Sequence, residues 1–211
     1  MLFLIYMWCY DYSAKLVCHE LRLSNHTVTD YFNMLRELCF IDYPRNEKIG
    51  GENIIVQIDE SHLFTRKYHV GKVLMSEQFW VFGGVDENGK FFLERVLNRD
   101  GETLKEILLR RVNTGSLVLS DSWRGYSFVC DYYFHLQVNH SKFFVSPFDS
   151  SQTQQIEATW SVLKRLLRKK GTRKCDNLDY YLAEFLFKQS HKDAPFLSFL
   201  RTMRNHFNPA L

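Results

Sequence analysis

The sequence has few of the features that mark secreted, membrane or zinc-binding proteins. Its five cysteines are far apart in the chain: Cys9, Cys18, Cys39, Cys130 and Cys175. No two of them form a Cys-x-x-Cys pair, which excludes a zinc knuckle or ribbon. An odd, scattered set also argues against a disulfide framework, so we expect buried thiols in a reducing compartment.

The N-terminal stretch 1–10, MLFLIYMWCY, is apolar but short. It has neither a cationic segment before the apolar run nor a small-residue cleavage site after it, and it is too short to span a bilayer. We therefore expect no signal peptide and no membrane span. The stretch is predicted to be the buried start of a helix or the remnant of a longer protein.

The length and charge of the chain allow one main domain that binds nucleic acid. With 211 residues and 45% hydrophobic content, the chain can bury one substantial core and add a small module. The net charge of +3 permits nucleic-acid binding without requiring it. The distribution of positive charge along the chain is more informative than the net charge, because residues 164–174, KRLLRKKGTRK, hold seven Lys or Arg. Such a run indicates either a solvated helix end or a surface for phosphates.

Residues 13–40 have helical periodicity in two consecutive segments. Apolar positions stripe a first helix, Ser24 then offers an N-cap, and Val28, Phe32 and Leu35 stripe a second helix. A polar turn joins the two, as in a helix-turn-helix that reads DNA, but any two-helix hairpin has this pattern. Both interpretations stay open, and simple packing is favoured over DNA reading.

The pattern changes from helices to strands after the cluster KIGGEN at 48–53, where we place a domain boundary. Residues 1–46 are predicted to form a helical segment and residues 53–211 a second domain. In it, NIIVQIDES is typical of a buried central strand, and EQFWVFGGVDENGKFFLERVL of two strands joined by an Asn-Gly turn. An amphipathic helix, a strand (SLVLSD), a helix, a strand (HLQVNHSKFFV) and a last helix follow. This order predicts an α/β, ribonuclease-H-like mixed sheet flanked by helices.

Three acidic residues stand where such a sheet presents its site. Asp59 closes the run IIVQID, Asp121 closes SLVLSD, and Glu157 lies on a basic helix, QQIEATWSVLKRLLRKK at 154–170. At 3.6 residues per turn, the carboxylate of Glu157 shares a face with cations further along that helix. An apolar stripe that can turn toward a core lies beside this face: Ile156, Trp160, Leu163 and Leu167.

Carboxylates from separate elements are the ligands that Mg²⁺ uses in proteins. Two such ions ~3.5–4 Å apart can activate an attacking hydroxyl and stabilise the leaving oxygen of a phosphodiester. Crowded carboxylates repel one another without cations, which is a reason to expect metal. Each acid alone also has a structural explanation, because Asp59 and Asp121 can cap a strand or a helix and Glu157 can pair with a lysine.

Five ordered strings, IDESHLFTRKYH, WVFGGVD, LSDSWRGY, VNHSKFFV and IEATWSVLKR, closely resemble the transposases of the Merlin superfamily and their bacterial insertion-sequence relatives. Those enzymes carry an aspartate-aspartate-glutamate site on a ribonuclease-H-like core. The resemblance covers residues 54–192. It implies that Asp59, Asp121 and Glu157 are the catalytic and metal-binding triad, with 61 residues between the first two and 35 between the last two.

The resemblance also implies the cofactor, the partner and the DNA contacts. The triad would hold two Mg²⁺ or Mn²⁺ ions. The partner would be double-stranded DNA, both the element ends and the target, and the protein would bind it as a homo-oligomer. No membrane partner is expected. Lys164 matches the basic residue placed beside DNA, and His140 in VNHS matches another recurrent position near the site. Further DNA contacts are expected from these basic residues: Arg124, Arg165, Arg168, Lys169 and Lys170.

The surroundings of the triad differ from the family pattern. Relatives read His-Thr-Asn where this chain has Gln152, Thr153 and Gln154, and glycine where it has Ala158. The resemblance implies a DNA transposase that cleaves element ends and joins 3′ hydroxyls to target DNA, located in the nucleus of a eukaryote or otherwise in the cytoplasm. Two alternatives stay open: a transposase-derived DNA-binding protein without catalysis, and a metal-dependent nuclease. The chain is also compatible with a truncated, decayed or host-adopted copy.

Overall fold

The computed structural model of the chain describes these residues: 1–43, 47–63, 80–138, 154–170 and 177–207. They separate into two compact units, one formed by 1–45 together with 176–211 and the other by 46–175. The boundary predicted from the sequence lies close to the end of the first N-terminal segment. The C-terminal segment was expected in the second domain, whereas its helices group with the N-terminal helices, with which they share an apolar core.

Within the described residues, the second unit is built on a five-stranded sheet. Its strands are β1 (Ile55–His62), β2 (Trp80–Asp86), β3 (Phe91–Val96), β4 (Leu117–Asp121) and β5 (Phe134–Val138). They lie in the order β3-β2-β1-β4-β5, with β2 antiparallel to β1 and β3, and β4 parallel to β1 and β5. This mixed sheet, fed by an antiparallel hairpin, confirms the predicted ribonuclease-H-like fold class.

Helices cover the two faces of this sheet. Three helices take part, α4 (Gly101–Arg111), a 3-10 helix (Arg124–Asp131) and α5 (Gln154–Lys169). The first face packs against α4 and the 3-10 helix, through a cluster that joins Leu104 and Tyr126 to Ile58 and Phe82 of the strands. The second face packs against α5, whose Trp160 approaches Gly83 of β2.

Local sequence explains where these helices begin and which face they bury. The side chain of Asp100 accepts a hydrogen bond from the Thr103 backbone N–H at 2.9 Å and so caps α4. The apolar stripe predicted for α5 is buried, with every member at most 5% exposed: Ile156, Trp160, Leu163 and Leu167. The helix predicted from GYSFVCDYYF is a 3-10 helix rather than an α-helix.

The first unit is helical, with the following elements: α1 (Leu2–Cys9), α2 (Ala14–Leu21), α3 (Asn25–Asp42), α6 (Leu178–Ser190) and α7 (Pro195–Phe207). The Ser24 hydroxyl accepts from the Thr27 backbone N–H at 3.0 Å, which confirms the predicted N-cap of α3. The predicted stripe of Val28, Phe32 and Leu35 is buried. The apolar N-terminus is a helix whose Trp8 is 1% exposed, as expected for the buried start of a helix.

The thiols only partly follow the expectation of burial. Cys9 and Cys39 are buried, Cys18 is half-buried and Cys130 is exposed. Burial raises the pKa of Cys9 to about 12, so this thiol is inert at neutral pH. No helix among the described residues combines the length and the hydropathy needed to cross a bilayer.

Deleting residues 1–46 is expected to give an insoluble or unfolded product. The deletion removes α1 to α3 and uncovers the apolar side chains that α6 and α7 contribute to their shared core, including Phe187 and Phe199. The measurement is the soluble fraction of fragment 47–211, compared with fragment 47–175, which also lacks α6 and α7. A soluble 47–211 fragment that unfolds cooperatively would contradict the expectation.

Candidate active site

Asp59 and Asp121 lie at equivalent positions of two neighbouring parallel strands. Asp121 is the last residue of β4, whereas β1 continues for three residues beyond Asp59, so the prediction that both acids end their strands is wrong for Asp59. The register of β1 and β4 pairs Gln57 with Leu119, so both aspartates lie two residues further along their strands, at one edge of the sheet. Carboxyl ends of adjacent parallel strands form the crevice where open α/β sheets bind ligands. The fold therefore brings together two acids that are remote in sequence.

Glu157 reaches the same crevice from α5. The Ile156 backbone N–H donates a buried hydrogen bond of 3.3 Å to Gln57 Oε1, which fixes the first turn of α5 against β1. A cavity of about 200 Å³ is lined by Asp59, Asp121 and Glu157, together with neighbouring residues of β1, β4 and α5 and with Val138 of β5. The structure thus places all three predicted acids around one space, and their catalytic role remains a prediction.

The two aspartates are held by hydrogen bonds from outside their own strands. Trp160 Nε1 donates to Asp59 Oδ2 at 3.0 Å, and the Trp123 backbone N–H donates to Asp121 Oδ1 at 3.0 Å. Burial raises the pKa of Asp59, and the nearby Asp121 carboxylate adds to this effect. Hydrogen bonds from the Glu60 backbone and from Trp160 oppose the rise without cancelling it. A cation in the cavity would relieve this unfavourable charge.

The donor set fits a hard divalent cation that keeps several waters, because it consists of carboxylate oxygens. It does not form a closed metal cage: within the part of the chain that the structure describes, no three His, Cys, Asp or Glu side chains form a group close enough to hold an ion. Glu157 is exposed, whereas Asp59 and Asp121 are half-buried. Two acids at fixed positions on neighbouring strands and one on an exposed helix face suit an open site.

A hydrogen-bonded network lies behind the crevice, on the opposite face of the sheet. Glu60, the residue after Asp59, is buried and accepts from the Tyr126 hydroxyl at 2.6 Å and from Arg99 Nε at 3.4 Å. Burial raises the pKa of Glu60, against the lowering effect of the Tyr126 hydrogen bond. The Arg99 guanidinium lies 4.2 Å from the Trp123 ring centroid. This network links the residue that follows Asp59 to the residue that binds Asp121.

The sequence does not reveal that these residues support the site. The acid pair in IDES and the tryptophan after LSDS were visible, but alternation along a strand gives only the face of Glu60 and not its partners. Trp160 was assigned to the apolar stripe of α5. It is buried as expected, yet its indole N–H also reaches Asp59.

The basic residues predicted to contact DNA are exposed at several positions. Arg124 is exposed at the start of the 3-10 helix, and Arg165, Arg168 and Lys169 are exposed on α5. Lys164 and Lys170 are half-buried. His140 lies outside the described residues. Contact of these side chains with DNA remains a prediction.

Comparison with known proteins places the chain in a family. The ISXO2-like transposase domain matches residues 50–190, which include all three acids. No curated protein matches the chain. The chain therefore belongs to the family of ISXO2-like transposase domains, as the resemblance of its motifs to bacterial insertion-sequence transposases implied.

Three solved structures are similar to the chain at low identity. A chain of the simian T-cell lymphotropic virus intasome in complex with PP2A regulatory subunit B56 gamma is 18% identical, with a TM-score of 0.42 over 67% of this chain and 50% of that chain. The catalytic core domain of BIV integrase is 13% identical, with a TM-score of 0.43 over 73% and 98%. The Mos1 strand transfer complex is 10% identical, with a TM-score of 0.25 over 93% and 76%. This chain thus spans half the length of the intasome chain, and its family membership rests on the match over residues 50–190 to the ISXO2-like transposase domain.

Proposed function

We propose that the chain is a DNA transposase that cleaves the ends of a DNA element and joins their 3′ hydroxyls to target DNA. The observation that carries the proposal is the meeting of Asp59, Asp121 and Glu157, from β1, β4 and α5, around one cavity in a chain of a transposase family. Three acids on three separate elements meet in this way only when the fold forms, as a metal-dependent site requires.

Each acid has a distinct part in the proposed site. Asp59 and Asp121 project from neighbouring strands, so the sheet fixes their separation. Glu157 lies on α5 and adds a third carboxylate to the lining of the cavity. Mg²⁺ or Mn²⁺ bound by these carboxylates would activate an attacking oxygen and stabilise the leaving oxygen.

Helix α5 extends the site toward DNA. Lys164 lies seven residues after Glu157, which at about 1.5 Å per residue corresponds to roughly 10 Å along the helix axis. A phosphate chain whose scissile bond lies near Glu157 can therefore meet Lys164 about three base-pair steps away, at ~3.4 Å per step. The exposed Arg165, Arg168 and Lys169 continue the positive surface.

The test is strand transfer by the full chain. The DNA that flanks the gene supplies candidate terminal inverted repeats, and labelled duplexes of these ends are incubated with the protein, Mg²⁺ and a supercoiled plasmid. A transposase gives defined 3′ cleavage and label joined to the plasmid, both abolished by EDTA. Cleavage of any duplex without joining would indicate a nuclease, and binding without cleavage would indicate a non-catalytic derivative.

Neutralising two arginines of α5 is expected to change the salt dependence of DNA binding. In Arg165→Gln/Arg168→Gln, loss of two phosphate contacts should make the negative slope of log K against log salt shallower by about 2, at ~0.9 per contact, whatever the DNA sequence. The charge-matched control is Arg201→Gln/Arg204→Gln on α7 of the other unit, where both residues are exposed. The same slope in the α5 variant and the control would mean that the α5 cations are only a solvated helix end.

A further inference from the structure

We propose that Trp160 is a positioning residue for Asp59, and that Gly83 provides the space from which it acts. This inference rests on the proposed function, because it assigns a role in holding one carboxylate of the cation site. The sequence places Trp160 in an apolar stripe, where a tryptophan needs only to fill volume. The structure gives its polar atom a specific partner at the site.

The hydrogen bond has a defined direction and a buried setting. An indole Nε1–H can only donate, so the 3.0 Å contact with Asp59 Oδ2 is a bond from Trp160 to the carboxylate. Trp160 is 5% exposed, which leaves its ring little freedom to turn away. A carboxylate offers about four lone-pair sites, so Asp59 keeps capacity for a cation while Trp160 restricts rotation of its side chain.

Gly83 makes this approach possible. It is paired with Asp59 across the β1–β2 register, so the two residues lie side by side on the sheet. A Cβ at position 83 would lie 2.8 Å from Trp160 Cη2 and 2.8 Å from Leu93 Cδ2, closer than carbon atoms pack. The backbone at Gly83 is not in the left-handed region. Glycine is needed there for space and not for conformation.

The residues around Asp59 therefore serve the cation site as well as the core. Outer partners of metal ligands fix ligand orientation, and their loss typically weakens metal affinity by about 10–100-fold. A tryptophan that only filled volume would be replaceable by any ring of the same shape. A tryptophan that holds Asp59 also needs its indole N–H, so removing this N–H alone distinguishes packing from positioning.

The experiment replaces the N–H and keeps the shape. The full chain is prepared with β-(3-benzothienyl)alanine at position 160, in which sulfur replaces the indole N–H. We expect Mn²⁺ affinity, measured by electron paramagnetic resonance without DNA, to fall about 10–100-fold. The Mn²⁺ concentration that gives half-maximal end cleavage should rise by a similar factor, with most of the rate recovered at saturating Mn²⁺.

Trp8 gives a matched control for this replacement. It is also buried, at 1% exposed, and its Nε1 has no hydrogen-bond partner among the described residues. β-(3-Benzothienyl)alanine at position 8 should leave Mn²⁺ affinity unchanged. An equal fall at positions 8 and 160 would overturn the proposal, because it would reflect a general loss of structure.

Two glycine variants test the space on each face of the sheet. Gly83→Ala should displace Trp160 and lower Mn²⁺ affinity about tenfold or more. In Gly84→Ala, the added Cβ would lie 2.5 Å from Phe92 Cε1 on the other face of the sheet, so this variant should lower only the melting temperature. Wild-type affinity in both the position-160 isostere and Gly83→Ala overturns this inference alone. Wild-type protein that neither binds Mn²⁺ nor cleaves DNA would overturn the proposed function as well.

Discussion

Asp59→Asn is expected to abolish DNA cleavage without weakening the fold. The change keeps the shape of the side chain but removes one of the charges that hold the cation, so end cleavage should fall by at least about 10²–10³-fold, the scale for loss of one charge-stabilising group at an active site. Mn²⁺ affinity should fall together with the rate. Both are measured on the full chain with labelled element ends.

The stability of the same variant gives an independent check. Because burial raises the pKa of Asp59, the ionised carboxylate is a cost to the folded state above that pKa. Asparagine carries no charge and can still accept the Trp160 N–H, so the melting temperature in metal-free buffer at pH 7 should equal or exceed that of the wild type. The difference should shrink as pH falls through the raised pKa and should vanish well below about 3.9, where Asp59 is protonated in both the folded and the unfolded state.

The matched control is Asp131→Asn, an exposed aspartate of the same unit. It removes one negative charge away from the cavity and should leave both cleavage and Mn²⁺ affinity unchanged. Retained cleavage in Asp59→Asn would remove Asp59 from the site, and equal loss in both variants would point to net charge rather than to the triad.

Glu184→Gln is expected to destabilise the helical unit strongly. The Glu184 side chain is 0% exposed, and it accepts from Arg36 Nε at 2.8 Å and from Lys188 Nζ at 2.8 Å. Removing its charge leaves two buried cations without this partner, a change that costs about 3–5 kcal/mol. For a unit of about 80 residues, that corresponds to a loss of roughly 12–40 °C in its melting temperature.

Calorimetry of the full chain measures this effect, with Glu37→Gln as the control because Glu37 is exposed on the same helix as Arg36. The pH dependence adds a signature. Burial alone lowers the pKa of Lys188, but the Glu184 and Asp11 carboxylates outweigh it and leave the pKa raised. This part of the stability is therefore fully present below about pH 10.4 and is lost as pH rises through the raised pKa. The alkaline loss should be smaller in Glu184→Gln, because the variant lacks the carboxylate that contributes most to raising the Lys188 pKa. Equal melting temperatures for the two variants would contradict the role of Glu184.

Features set by near neighbours could be predicted from the sequence. The Ser24 cap depends on an oxygen three residues before the N–H that it accepts, and the β2–β3 hairpin depends on an Asn-Gly turn. The buried stripe of α5 follows from a 3.6-residue period. The strands that carry Asp59 and Asp121 could also be predicted, because each acid follows an apolar run, although β1 continues to His62 beyond Asp59.

Pairings between distant segments could not be predicted in this way. An amphipathic pattern shows that α6 and α7 bury one face but not which partner covers it, so their grouping with the N-terminal helices appeared only in the structure. The same holds for Glu184. A glutamate is expected to be exposed to solvent, and only the structure shows that Arg36 and Lys188 pair with it in the core.

The order of the elements along the chain and the three acids, with the family to which they belong, follow from the sequence alone. The order of the strands in the sheet comes from the structure. The tertiary structure shows that these acids share one cavity. It also shows that Trp160, 101 residues from Asp59 along the chain, donates a hydrogen bond to the Asp59 carboxylate. It also placed Arg99 and Glu60 behind the site. The physical reason is that periodicity and capping depend on neighbours within about two helical turns, whereas a side-chain hydrogen bond depends on where the folded backbone places each partner.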